Sequence, residues 1–197
     1  MARKSKLNFP TILTLARIVL VCPLMIFMFM DGIGFKIAAL ICFIIASVTD
    51  FIDGRMARKN NQVTDLGAFL DPLADKMLVN LTIFSLCMCG MLDPWFFGII
   101  LVRDFAVDGM RMMVAKTGET VSASIWGKAK TMTQMIFLCI VIFETILCSD
   151  WKIIFNLGEG FITFLINFNI VFEAIIAGLT IFSGYQYLRD GFKKAIK

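Results

Sequence analysis

The sequence predicts an all-α integral membrane protein: six transmembrane helices in a single domain over residues 1–197, both termini cytoplasmic, active site at the cytoplasmic side of the bundle. Three observations predict it. The chain is 59% hydrophobic with a mean hydropathy of +0.84, more apolar surface than a soluble domain of its size can bury. Apolar stretches near 11–30, 34–52, 67–92, 95–115, 130–149 and 161–188 each approach or reach the roughly 20 residues that a spanning helix needs. With the N-terminus placed inside, all nineteen Lys and Arg except Lys36 and Lys152 fall on or near the cytoplasmic side. The net charge of +4 then follows from topology and contact with anionic membrane lipid, which excludes nucleic acid as a partner.

The first stretch carries Arg17 and no small-residue cleavage site follows it, so it reads as a span rather than a cleavable leader. The second ends in Asp50 and Asp53, and the third opens with Asp71 and Asp75. The basic run from Arg58 to Gln62 is expected to be the turn between these two helices. The fourth stretch holds Arg103 inside apolar sequence, with Arg111 about two helical turns further on, so both can face one cavity. Lys128 precedes the fifth and Lys130 opens it. The last two stretches read as generic apolar helices. The six cysteines lie in or at the ends of apolar segments, with neither zinc-site nor disulfide-framework spacing.

Carboxylates at membrane depth are costly, and they persist there with a charge partner, a cation or a function. On a helix at about 100° per residue, Asp50, Asp53 and Ala57 share a stripe, with Gly54 about 40° and Arg58 about 80° away. Gly67, Asp71 and Asp75 step by four and share another, with Thr64 about 60° off, while Asp65 points away as a loop or cap residue. Small Gly54 and Ala57 let a ligand or helix approach closely. The alternative, that these aspartates only pair with Arg55, Arg58 and Lys76, leaves two matched carboxylate faces unexplained. The chain has no histidine, so four carboxylates suit a hard cation, Mg²⁺ or Mn²⁺, and can hold two ions. Arg58 beside them suits a pyrophosphate substrate. Arg103, Arg111, Lys128 and Lys130 suit an acceptor with its own phosphate; positive-inside topology is the plainer reading of the lysines.

The pattern Asp50-x-x-Asp53-Gly54-x-x-Ala57-Arg58, then Gly67-x-x-x-Asp71-x-x-x-Asp75, resembles the signature of the CDP-alcohol phosphotransferases. The segments from Asn8 to Arg17, Arg103 to Arg111 and Gly127 to Thr131 resemble the bacterial branch whose acceptor is sn-glycerol 3-phosphate. Thr11 stands where that branch has Asn, and Asp108 where a neutral residue is expected. The resemblance covers about residues 7–131. It implies six transmembrane helices, a homodimer in a bacterial plasma membrane, and transfer of a phosphatidyl group from CDP-diacylglycerol to the acceptor with release of CMP. It also implies that Asp50, Asp53, Asp71 and Asp75 ligate two metal ions and that Asp75 is the general base. By the same resemblance Gly54, Ala57, Arg58, Thr64 and Gly67 line the cytidine diphosphate pocket, closed by Thr14 and Arg17 from the first helix. Rival readings are a relative using inositol phosphate, serine or phosphatidylglycerol as acceptor and, from another class, a divalent-cation transporter.

Overall fold

The computed structural model describes residues 9–59, 65–116, 125–148 and 158–195, with side chains placed at 12–49, 70, 72–114, 127, 129–148 and 158–192. The described residues form six α-helices and no strand: α1 (Phe9–Phe29), α2 (Ile33–Lys59), α3 (Asp65–Met88), α4 (Pro94–Lys116), α5 (Ile125–Cys148) and α6 (Glu159–Ala195). Each expected apolar stretch is one of them. Three contain segments long and apolar enough to cross a membrane: Ile12–Phe29, Ala129–Cys148 and Glu159–Phe192; α2 holds a shorter apolar segment, Ile33–Thr49. Helix α4 falls short because charges cluster between Arg103 and Arg111, and α3 carries Asp75 and Lys76 within its apolar run.

Two boundaries differ from expectation. Arg58 and Lys59 belong to α2 instead of starting the turn. Met56, Ala57, Arg58 and Lys59 are all good helix formers, and nothing before Asn60 favours a stop. The connection at 60–64, which includes Thr64, lies outside the described residues. Helix α6 continues through its basic end to Ala195.

Helix α1 packs on α2 and α3, α4 packs on α6, and α5 reaches α2, α3 and α6. Leu24, Met28, Phe43, Leu78, Phe96, Ile100, Phe137 and Ile142 are fully buried in the shared core. Phe137 meets Phe96 edge-on at 6.1 Å and stacks on Phe172 at 5.9 Å, both favoured aromatic arrangements. The outer surface is apolar as well. On α4, Val102 and Phe105 are 69% and 70% exposed while Asp104 beside them is buried. This helix therefore turns its charges inward, the reverse of a water-facing helix.

Two turns need backbone that only glycine adopts without strain. Gly32, at φ 111°, joins α1 to α2, and Gly90, at φ 71°, ends α3. At Gly90 the Met91 amide donates to the Leu86 carbonyl at 2.9 Å and the Gly90 amide to that of Cys87 at 3.0 Å, which closes the helix end. Helix α4 restarts at Pro94, whose missing N–H is harmless in a first turn. The Asp93 amide there donates to the buried Glu173 carboxylate of α6 at 3.3 Å, tying the turn to the last helix. The Lys36 ammonium donates to the Met28 carbonyl at the end of α1, which gives that isolated cation a structural partner.

Candidate active site

A cavity of about 640 Å³ opens between α3, α4, α5 and α6. Its walls carry two carboxylates, Asp75 and Asp104, against four cations, Lys76, Arg103, Arg111 and Lys130. That surplus suits an anion. Helix geometry sets the arrangement. Asp75 follows the exposed Pro72 on α3, Arg103 and Arg111 lie two turns apart on α4, and Gly127, Lys130 and Thr131 come from the first turns of α5.

Asp104 is the hub of this wall. Its Oδ1 accepts from Arg103 Nη1 at 3.0 Å and from Lys130 Nζ at 3.3 Å. Both Asp104 and Lys130 are buried, so the ion pair compensates charges that would otherwise be strongly penalised. The other Arg103 terminal nitrogen, Nη2, donates to Ser183 Oγ of α6 at 3.1 Å. The Arg103 stem lies flat on Gly184, where a Cβ would sit 2.9 Å from Arg103 Cγ. Arg111 is held from the same helix: its Nε donates to Tyr187 Oη at 3.3 Å, and its guanidinium carbon lies 5.8 Å from the Tyr187 ring centre. One turn beyond Tyr187 and two beyond Gly184, Gly191 gives room to Met110 of α4.

Asp108 has a local explanation. Its carboxylate pairs with the ammonium of Lys76 on α3, and both side chains are about one-third exposed. The unexpected acidic residue is thus one half of a bridge between α3 and α4.

Of the sequence-predicted residues, Asp75, Arg103, Arg111 and Lys130 line this one cavity. Thr14 and Arg17 are buried on α1, and Arg17 Nη1 lies 3.4 Å from Asp75 Oδ1, so α1 reaches the cavity edge through an ion pair. Asp50, Asp53, Gly54, Ala57 and Arg58 occupy the last turns of α2, and Gly67 and Asp71 the first turns of α3. The side chains of these residues and of Lys128 lie outside the described set. Sequence reasoning did not find Asp104, Gln134, Ser183, Gly184 or Tyr187. The acid next to Arg103 was a usable signal. Uncharged residues in apolar helices gave none.

Comparison with known proteins identifies the family of the chain. Residues 7–179 match the family CDP-alcohol phosphatidyltransferase. The chain is 43% identical over 141 residues to the CDP-diacylglycerol–glycerol-3-phosphate 3-phosphatidyltransferase of Bacillus subtilis, covering 66% of this chain and 73% of that one. It is 37% identical over 187 residues to the protein of the same name from Rickettsia felis, covering 92% of this chain and 94% of that one. An Arabidopsis thaliana protein, CDP-diacylglycerol–glycerol-3-phosphate 3-phosphatidyltransferase 2, is 31% identical over 205 residues, 97% of this chain and 82% of its own. The family match extends through α5 and most of α6, beyond the 7–131 stretch whose motifs are visible by eye.

Proposed function

The chain belongs to the CDP-alcohol phosphatidyltransferase family, and we infer that it is the enzyme that transfers the phosphatidyl group of CDP-diacylglycerol to sn-glycerol 3-phosphate. The products are phosphatidylglycerol phosphate and CMP. The observation that carries the acceptor assignment is the shared cavity: a carboxylate able to take a proton, Asp75, and three cations able to read a phosphate, Arg103, Arg111 and Lys130, within reach of one small molecule. Lys128, two residues before Lys130, belongs with this acceptor set by position.

The acceptor's primary hydroxyl oxygen attacks the phosphatidyl phosphorus. A new P–O bond forms as the bond from that phosphorus to the CMP oxygen breaks. The hydroxyl proton passes to Asp75, which is half exposed towards the cavity and steadied by Arg17. Arg111, hydrogen-bonded to Tyr187 through Nε, turns its terminal nitrogens to the acceptor phosphate, and Arg103, fixed by Asp104 and Ser183, adds its charge beside it, so that the acceptor hydroxyl is held in place. Gly54, Ala57, Arg58, Thr64 and Gly67, with Thr14 and Arg17 from α1, receive the cytidine diphosphate half of the donor.

Asp50 and Asp53 in the last turns of α2, with Asp71 and Asp75 in the first turns of α3, form an all-oxygen donor set from two successive helices. That chemistry fits a hard divalent cation, two ions of Mg²⁺ or Mn²⁺, which when bound supply charge neutralisation for the pyrophosphate and the departing CMP.

The same reading gives one domain over residues 1–197, six spans, both termini and the cavity mouth on the cytoplasmic side of a bacterial plasma membrane, and a homodimer. The inward charges and exposed Val102 and Phe105 of α4 support a span there despite its composition. A cation-transport path is disfavoured by the arginines lining the cavity.

The deciding experiment measures CMP release by the purified protein in detergent with CDP-diacylglycerol and Mg²⁺. The acceptors compared are glycerol 3-phosphate, inositol phosphate, serine and phosphatidylglycerol. Release is expected with glycerol 3-phosphate alone, and Asp75→Asn should lower it at least about 100-fold. Release with a different acceptor would reassign the substrate, and none with any acceptor would overturn the reading.

A further inference from the structure

Gln134 lies one helical turn beyond Lys130 on α5, lines the cavity and is 1% exposed. Its Nε2 has no hydrogen-bond partner among the described residues. Buried amides are almost always satisfied, so a lone one on a cavity wall points to a polar ligand atom that meets it there.

Along α3, Val79 lies one turn past Asp75; along α5, Gln134 lies one turn past Lys130, whose ammonium meets Asp104 and through it Arg103. One turn beyond its charged neighbour, α3 therefore offers the cavity an apolar Val79 and α5 the Gln134 amide.

We propose that Gln134 reads the central hydroxyl of the acceptor, and so sets the enzyme's preference among small phosphorylated alcohols. This rests on the acceptor assignment above. In a three-carbon acceptor the phosphate belongs to the cations and the attacking primary hydroxyl to Asp75. The central hydroxyl is the polar group left over. A hydroxyl both donates and accepts, so it satisfies the amide whichever way the amide is turned. A site built to hydrogen-bond a hydroxyl discriminates strongly against an analogue that lacks it, because the buried partner is then left unpaired.

The test compares kcat/KM for sn-glycerol 3-phosphate and 3-hydroxypropyl phosphate, which keeps the phosphate and primary hydroxyl but lacks the central one. The wild type should prefer glycerol 3-phosphate by roughly 10- to 100-fold. In Gln134→Met the preference should fall close to one. The loss should lie in glycerol 3-phosphate turnover, with the KM for CDP-diacylglycerol unchanged. Gln134→Asn, which withdraws the amide by one methylene, should also lower the preference and serves if the methionine variant does not fold. A wild type that uses both acceptors equally, or a folded variant with undiminished preference, would overturn the proposal. A wild type that releases no CMP with glycerol 3-phosphate would overturn the acceptor assignment itself, which separates the two failures.

Discussion

Asp104 holds two cations at once, Arg103 at 3.0 Å and Lys130 at 3.3 Å, so its loss strands both. Removing one partner of a buried ion pair is worse than never having built it. Asp104→Ala should therefore destabilise the protein by about 3–5 kcal/mol, read as a lowered midpoint of thermal inactivation in detergent. Tyr187→Phe is a milder change. It keeps the ring beside Arg111 and removes only the hydroxyl that accepts from Nε. The KM for glycerol 3-phosphate should rise roughly 2- to 10-fold with kcat little altered, as expected for a neighbour that orients a binding group. At this scale the sequence is informative where a residue is charged in apolar surroundings: Arg103, Arg111 and Asp75 stand out for that reason. Ser183 and Tyr187 do not, because a hydroxyl is ordinary in an apolar helix and its partner lies 80 residues away for Ser183 and 76 for Tyr187.

The pairing of α4 with α6 depends on two glycines one above the other. At Gly184 the added carbon of alanine would press on the Arg103 stem, and at Gly191 on Met110, which is buried. Gly191→Ala should cost about 1–3 kcal/mol of stability by forcing the helices apart, again visible in thermal inactivation. Gly184→Ala should add a selective defect, a raised KM for the phosphorylated acceptor with that for CDP-diacylglycerol unchanged, because the displaced side chain is a cavity arginine. Helix positions were legible because length and hydropathy are properties of a single segment. Helix ends were less so: α2 runs on to Lys59 because helix-forming residues continue past the apolar stretch. Which helices touch was not legible. The closeness of α4 and α6 is encoded in Gly184 and Gly191, which look like any other glycines until the partner is seen.

Over the whole molecule, charge is concentrated where α2 and α3 meet the connection at 60–64, where α4 and α5 meet that at 117–124, and at the basic end of α6, and the described outer surface is largely apolar. If Asp50, Asp53, Asp71 and Asp75 hold a hard cation as proposed, a chelator such as EDTA should abolish CMP release and added Mg²⁺ or Mn²⁺ should restore it. Retained full activity in excess chelator would remove the metal from the account. The aspartates sit on α2 and α3, early in the chain, whereas the side chains that steady Arg103 and Arg111 sit on α6, the last helix. Order of synthesis then matters. A chain still emerging from the ribosome can have its whole aspartate motif made and yet lack the helix whose Ser183 and Tyr187 steady Arg103 and Arg111. Turnover should then begin only once the final helix has docked, and a chain cut before α6 is expected to release no CMP.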